Sequence, residues 1–188
     1  MKIKILEIND VIEVIHYIFQ DNRGNFLESY NKNKYFELGI KDDFVQDNRA
    51  YSEKSGTIRG LHFQTLPAAQ EKLIQVIQGR ILDIFVDLRK GSPTYKQWGS
   101  KEFSVDKGNQ LYLPVGFDHG YKTLEENCEI EYKVSDYYAP DYEAGIRWDD
   151  PELNIDWNMG DNFPVLSDKD MELPLLCEID PAFEYDVG

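Results

Sequence analysis

Between residues 56 and 120 the chain is interrupted by turn residues at short, recurring intervals: Gly56, Gly79, the KGSP at 90–93, the DKGN at 106–109, Gly116 and Gly120. Such punctuation leaves room for strands and little for long helices. The segments between the breaks carry a strand period. In EIEYKVSDYY (129–138), Ile130, Tyr132 and Val134 share one face, and Glu129, Glu131, Lys133 and Ser135 take the other. In RILDIFVDLR (80–89) the even positions Leu82, Ile84, Val86 and Leu88 are all apolar, whereas the odd ones mix Ile81 and Phe85 with Asp83 and Asp87. Many short strands with frequent turns point to an all-β chain, a closed sandwich or barrel. A short helix near NKYFELGI is the expected exception. From about 155 onward, scattered prolines and acids suggest an irregular wrap over the barrel, so residues 1–188 are read as one domain.

At 188 residues and 41% apolar, with 12 Tyr and 10 Phe, the chain can bury a sizeable core. Its formal charge of −15, from 35 acidic and 20 basic residues, argues against nucleic acid as a partner. A small anionic ligand remains compatible, because a few clustered cations outweigh a distant field. Cys128 and Cys177 lack CxxC or metal spacing and read as free thiols in a reducing compartment. The start MKIKILEIND has no hydrophobic signal core, and no stretch approaches the ~18 apolar residues of a membrane span. A soluble cytoplasmic protein with no membrane partner is the expectation.

The segment TIRGLHFQTLPAAQEKLIQV (57–76) sets His62, one of three histidines, between a Gly-Arg pair and an apolar run. Read as a regular strand, it puts Ile58, Gly60, His62 and Gln64 on one face, with Gly60 leaving space for a ligand. His62 is then a packed core residue, a metal ligand or a base. A second segment, DKGNQLYLPVGFDHGY, spaces Gly108, Pro114, Gly116 and His119 like the second half of the cupin double motif. Gly56, His62, Glu71 and Gly79 sit roughly where the first half wants them, but Gln64 occupies the place of its second histidine. Cupin metals usually take two or three imidazoles and a carboxylate, so the motif reads as degraded and no metal is expected. Tyr132, inward by alternation, is either a core tyrosine or an acid facing His62 across a ligand. Lys72, which opens an apolar strand, is either a solvated cation or a group that stabilises an oxyanion.

The motifs DNRGNFLES, FVQDN, IRGLHFQ, QEKL, DIFVDLRKGSPTY, LYLPVGFDHGY, EYKVSDYYAPDYEAGIRWDDPELNIDW and LSDKD follow one another across roughly residues 19–175. In that order they resemble the dTDP-4-dehydrorhamnose 3,5-epimerase family of nucleotide-sugar epimerases. The resemblance implies a metal-independent, cofactor-free cupin jelly roll (a double-stranded β-helix) that acts as a homodimer. It implies as substrate a nucleoside-diphosphate 4-keto-6-deoxy sugar, inverted at the carbons flanking the ketone. Such a carbon is acidic only because the carbanion delocalises onto oxygen, so the site needs a base, a cation near that oxygen and an acid on the opposite face.

On that resemblance His62 is the base, Lys72 the cation, Tyr132 the acid, and His119 a polar support in the same cavity. Asp170 in LSDKD would orient His62, with Asp168 and Asp83 as alternatives. Arg59 and Arg23 match positions that contact the nucleotide sugar, Arg23 from the partner subunit; Phe26, Glu28, Gln46 and Asn48 also fall on matching motifs, and Tyr138 resembles the aromatic that stacks on the base. Regular alternation would turn Arg59 away from His62, so either Gly60 kinks the strand or the diphosphate lies at the rim. The chain departs from the pattern at Tyr121, where HGF is usual, at Asp118, where a small residue is common, and at Arg49 and Tyr51. These departures leave room for another sugar or nucleotide, including GDP-linked or heptose substrates. Inversion at carbon 3 alone, a keto-moving sugar isomerase, a non-catalytic sugar-nucleotide binder and a metal-dependent cupin dioxygenase are the competing readings.

Overall fold

The computed structural model describes residues 1–8, 10–160, 163–180 and 183–185. Its elements are β1 (Lys2–Ile5), β2 (Ile12–Ile15), β3 (Phe19–Asp21), β4 (Gly24–Phe26), α1 (Lys32–Glu37), β5 (Gln46–Ser52), β6 (Ile58–Gln64), β7 (Lys72–Gln78) and β8 (Arg80–Asp87). After them come β9 (Trp98–Ser104), β10 (Asn109–Leu113), β11 (Phe117–Thr123), β12 (Cys128–Val134), β13 (Glu143–Gly145) and α2 (Asp168–Met171). One sheet runs β1-β2-β10-β7-β12-β5, and the other β13-β6-β11-β8-β9; β3 and β4 form a separate hairpin. This is the cupin jelly roll expected from the sequence. The anticipated short helix is α1, capped by the Asn31 side chain accepting from the backbone of Lys34. Cys128 and Cys177 are both unpaired, the first buried and the second exposed. Among the described residues no helix is long and apolar enough to cross a membrane.

Alternation sorts each strand's side chains between two packing layers. Between the sheets lie Ile74 and Val76 of β7, Ile81 and Phe85 of β8, Leu111 and Leu113 of β10, Phe117 and Tyr121 of β11, and Cys128 and Ile130 of β12. Each fully buried Leu, Ile, Val or Phe contributes roughly 1.5–3 kcal/mol relative to exposure. A second layer covers the outside of the five-stranded sheet, where Ile58, Leu61, Phe63, Ile84, Val86 and Leu88 pack against Ile146, Leu153, Trp157, Leu176 and Phe183. The uniformly apolar face of β8 is therefore the one sealed by the segment after β13, and its mixed face lines the interior. The two acids on that mixed face have partners. Asp87 accepts from Arg89, Ser92 and Thr94 and so fixes the KGSP turn, while Asp83 faces His119.

β6 departs from the regular period, and the departure decides the site. Opposite β11, His62 pairs with His119 and Arg59 with Tyr121, so two residues, Gly60 and Leu61, face the single Gly120. This is a β-bulge. Gly60 adopts φ +111°, and a Cβ there would lie 2.7 Å from both Gly120 Cα and the His119 carbonyl oxygen. The bulge shifts the phase of the strand. The shared face of Ile58, Gly60, His62 and Gln64 expected from strict alternation is thus corrected: Ile58 belongs to the outer layer. Arg59 and His62, three positions apart, line the same cavity, so the kink at Gly60, one of the two options left open by the sequence, is the one that occurs.

Candidate active site

At the open end of the barrel lies a cavity of about 360 Å³. Nine of the twelve expected site residues line it: Gln46 and Asn48 of β5, Arg59 and His62 of β6, Lys72 of β7, His119 of β11, Tyr132 of β12, Tyr138 in the loop beyond, and Asp170 of α2. Arg23, Phe26 and Glu28 do not line it. They lie on or just after the β3–β4 hairpin, with the Phe26 ring exposed, Arg23 paired to Asp21 at 2.6 Å and Glu28 paired to Lys34.

His62 Nε2 lies 2.7 Å from Asp170 Oδ1. Asp170 is buried because α2 turns it inward. The Ser167 side chain caps this short helix by accepting from the backbone of Asp170, which leaves Asp168 outside and exposed. Burial raises the Asp170 pKa, but hydrogen bonding and attraction to His62, with help from Ser167 and the Gly60 amide, outweigh it and hold the carboxyl below its ordinary range. Asp83 pairs instead with the second histidine, its Oδ2 3.0 Å from His119 Nε2. Complete burial raises the Asp83 pKa, and the adjacent His119 opposes that rise. Of the three carboxylates considered for His62, Asp170 is the one that touches it.

Lys72 opens β7 and donates from Nζ to the backbone carbonyl of His62 at 2.8 Å. Burial lowers its pKa to about 8, against the attraction of Asp118, Asp83 and Glu143. On β12, the neighbouring strand of the same sheet, Tyr132 keeps its proton more tightly than a free tyrosine, chiefly through burial. Arg59 is held at the rim by Ser52 Oγ at 3.1 Å and the Tyr51 carbonyl at 2.8 Å. Arg59, Lys72 and Lys169 thus gather cationic charge in one cavity of a strongly acidic chain.

Gln64, where a second metal-binding histidine would stand, uses its amide on the backbone. Its Nε2 donates to the carbonyls of Ala68 (2.7 Å) and Tyr137 (3.3 Å), and its Oε1 accepts from Ala139 N at 2.7 Å. Those bonds, with Gln46 accepting from Tyr138 N at 3.1 Å, hold the Tyr138 loop over the cavity. Among the described residues no group of three or more His, Cys, Asp or Glu is placed to hold a metal ion.

Sequence reasoning missed Glu143 and Lys169. They pair at 2.6 Å, and Glu143 also accepts from the Tyr138 hydroxyl at 2.7 Å. Lys169 adjoins Asp170 in LSDKD, and a capping reading of Ser167 would have drawn attention to that turn. Glu143 gave no comparable signal, because β13 is only three residues long. The suggestion that Arg49, Tyr51 and Asp118 reshape the pocket is corrected. Alternation on β5 turns Gln46, Asn48 and Ala50 inward and exposes Arg49 and Tyr51, with Arg49 paired to Glu129; Asp118 is buried in the wall and outside the lining. Tyr121 alone among these departures lines the cavity.

The sequence profile of dTDP-4-dehydrorhamnose 3,5-epimerase matches residues 5–178. A dTDP-4-dehydrorhamnose 3,5-epimerase of Pseudomonas aeruginosa is 43% identical over 181 residues, covering 96% of this chain and 98% of the relative. The crystal structure of the Bacillus anthracis enzyme of that name, with TDP and PPi bound, is 50% identical; it superimposes with a TM-score of 0.88 over 93% of this chain and 100% of that one. The dTDP-6-deoxy-D-glucose-3,5-epimerase of Legionella pneumophila, in complex with dTDP-4-keto-L-rhamnose, is 39% identical with a TM-score of 0.93, covering 98% of each chain.

Proposed function

The chain belongs to the dTDP-4-dehydrorhamnose 3,5-epimerase family and is an isomerase of that class, and we propose that it inverts carbons 3 and 5 of a dTDP-linked 4-keto-6-deoxy sugar without a metal or other cofactor. The observation that supports this most is that His62, on β6 of one sheet, and Tyr132, on β12 of the other, line one cavity. A base and an acid on opposite faces of a flat enolate are what inversion requires.

His62, oriented by Asp170, removes the proton from the carbon beside the ketone, and the electron pair moves onto the carbonyl oxygen. Lys72 supports the resulting oxyanion as an ammonium ion. Tyr132 delivers a proton to the opposite face of the same carbon. The sugar is then neutral again with one centre inverted, and solvent restores both side chains before the second carbon reacts. His119, held by Asp83, serves as a polar contact in the cavity. Arg59, Gln46 and Asn48 take the diphosphate side, and Tyr138 stacks on the base. In a homodimer the exposed β3–β4 hairpin brings Arg23, Phe26 and Glu28 to the cavity of the second copy.

The test is proton NMR in heavy water, with chelator and a panel of dTDP- and GDP-linked 4-keto sugars. Deuterium entering carbons 3 and 5 of a dTDP sugar is the expected result. Deuterium at carbon 3 alone would make the protein a single-site epimerase; none with any member would mean a sugar outside the panel or a binding protein, which a binding titration with the same panel decides. Tyr132→Phe is expected to retain deuterium exchange while inversion falls about 10²-fold or more. Inversion at the unmodified rate in that variant would remove Tyr132 as the acid.

A further inference from the structure

Gln64 has no part in the chemistry proposed for the cavity, yet its side chain is heavily engaged there. It lies on β6 two positions beyond His62, is 5% exposed and lines the cavity. Its Nε2 donates to the carbonyl of Tyr137 at 3.3 Å, and its Oε1 accepts from Ala139 N at 2.7 Å. Those are the two chain neighbours of Tyr138. A third bond, to the carbonyl of Ala68 at 2.7 Å, fixes the amide itself. Opposite Gln64 in the β6–β13 pair stands Glu143, which accepts from the Tyr138 hydroxyl at 2.7 Å. The two facing residues of one cross-strand pair therefore hold Tyr138 at both ends, one by its flanking backbone and the other by its ring.

The neighbouring ties are of the same kind. Gln46 of β5, in the other sheet, accepts from Tyr138 N at 3.1 Å, and Gln70, just before β7, donates to the carbonyl of Asp136 at 2.7 Å. Residues 136–139 are thus each tied by a glutamine side chain that lines the cavity. The geometry calls for an amide. Holding a carbonyl and an N–H at once needs a donor and an acceptor in one group, whereas a carboxylate only accepts and an ammonium only donates. A neutral imidazole has one of each but lacks the second donor, which Gln64 directs at Ala68. The second histidine of the cupin motif could not stand at this position without opening the clasp. Tyr138 itself is 51% exposed, so packing alone does little to orient its ring. A ring that is free before binding must be ordered by the ligand, at a cost in affinity.

We infer that Gln64 is a positioning residue for the nucleotide: through Tyr137 and Ala139 it presents the Tyr138 ring to the base, with Gln70 in support. It takes no part in the proton transfers made two residues away. The inference rests on the reading of Tyr138 as the residue that stacks on the base. Its consequence is a separation of effects along one strand, His62 governing turnover and Gln64 governing affinity.

Gln64→Met keeps the length of the side chain and removes every hydrogen bond of the clasp. The expected result is a KM for the dTDP-linked 4-keto sugar, and a Kd for dTDP alone, raised by about tenfold or more, with kcat within about threefold of the parent. In a Tyr138→Ala background the same substitution should change Kd by less than about twofold, because a residue acting only through that ring has nothing left to act on. Without ligand, the Ala139 amide should exchange with heavy water faster by about tenfold or more, while the β6–β11 amides stay protected. An unmoved Kd or Ala139 amide in Gln64→Met, or an equal loss in the Tyr138→Ala background, would overturn the inference. So would a fall in kcat at unchanged KM, which would place Gln64 with the chemistry of His62. Should Gln64→Met not fold, Gln70→Met removes the Asp136 tie from outside the strands. It is expected to raise KM and Kd by about threefold at the parent kcat, and unmoved values would overturn the clasp equally. Parent protein that bound neither dTDP nor GDP would instead remove the base-stacking role of Tyr138 and the proposed function with it.

Discussion

His62→Ala is expected to lose deuterium exchange at both carbons flanking the ketone, by about 10²–10⁴-fold, the usual contribution of a positioned general base. Among the described residues no other side chain is placed to take over. His119, the nearest imidazole by register, has its Nε2 occupied by Asp83 at 3.0 Å, and Tyr132 lies on the other sheet. The variant also strips a buried carboxylate of its partner, since Asp170 is 3% exposed and bonded to His62 at 2.7 Å. His62→Gln is therefore the better companion, because its amide nitrogen falls where His62 Nε2 stands and can still donate to Asp170, while it cannot act as a base. Both variants should lose exchange, and the glutamine form should melt closer to the parent. Exchange at the parent rate in a folded His62→Gln protein would take the base away from this position.

Gly60→Ala is expected to destabilise the fold by roughly 2–4 kcal/mol, read as a lower urea midpoint at unchanged slope. Two effects add. The residue holds φ +111°, a region that L side chains rarely enter, and the new methyl would meet two backbone atoms at 2.7 Å. Backbone on both sides leaves nothing flexible to yield. Molecules that do fold should bind nucleotide poorly, because the bulge is what turns Arg59 and His62 to the same side. An unchanged midpoint would mean that the strand can re-register without loss.

Much of this arrangement is legible in the residues. Strict alternation on β12 puts Tyr132 inside, and it is inside. Turn spacing foretells a closed sandwich or barrel, the family resemblance narrows it to a jelly roll, and nine of the twelve residues that resemblance pointed to line one cavity. Reading by period fails where the period itself breaks. A two-residue alternation cannot show a bulge, so Arg59 seemed misdirected and Ile58 seemed to face inward. On β8 the apolar face was legible but its destination was not, since an outer face covered by a distant segment looks the same as a core face. Arg49 and Tyr51 drew attention as unusual residues, yet β5 turns them outward, because identity says nothing of direction until the strand's phase is known. Glu143 and Lys169 were missed because their pairing joins elements 26 positions apart in sequence, 143 to 169, with no spacing rule between them.

The division of the His62–Asp170 pair between two regions of the chain has a consequence for the life of the molecule. The imidazole belongs to the barrel, and the carboxylate that aims it arrives on a four-residue helix in the segment that closes last along the sequence. On the proposed mechanism, chemistry would therefore start only after that segment has docked. A half-finished chain with a sound barrel would hold its base unaimed, so reactive sugar intermediates would meet a working catalyst only in molecules that have completed their own assembly.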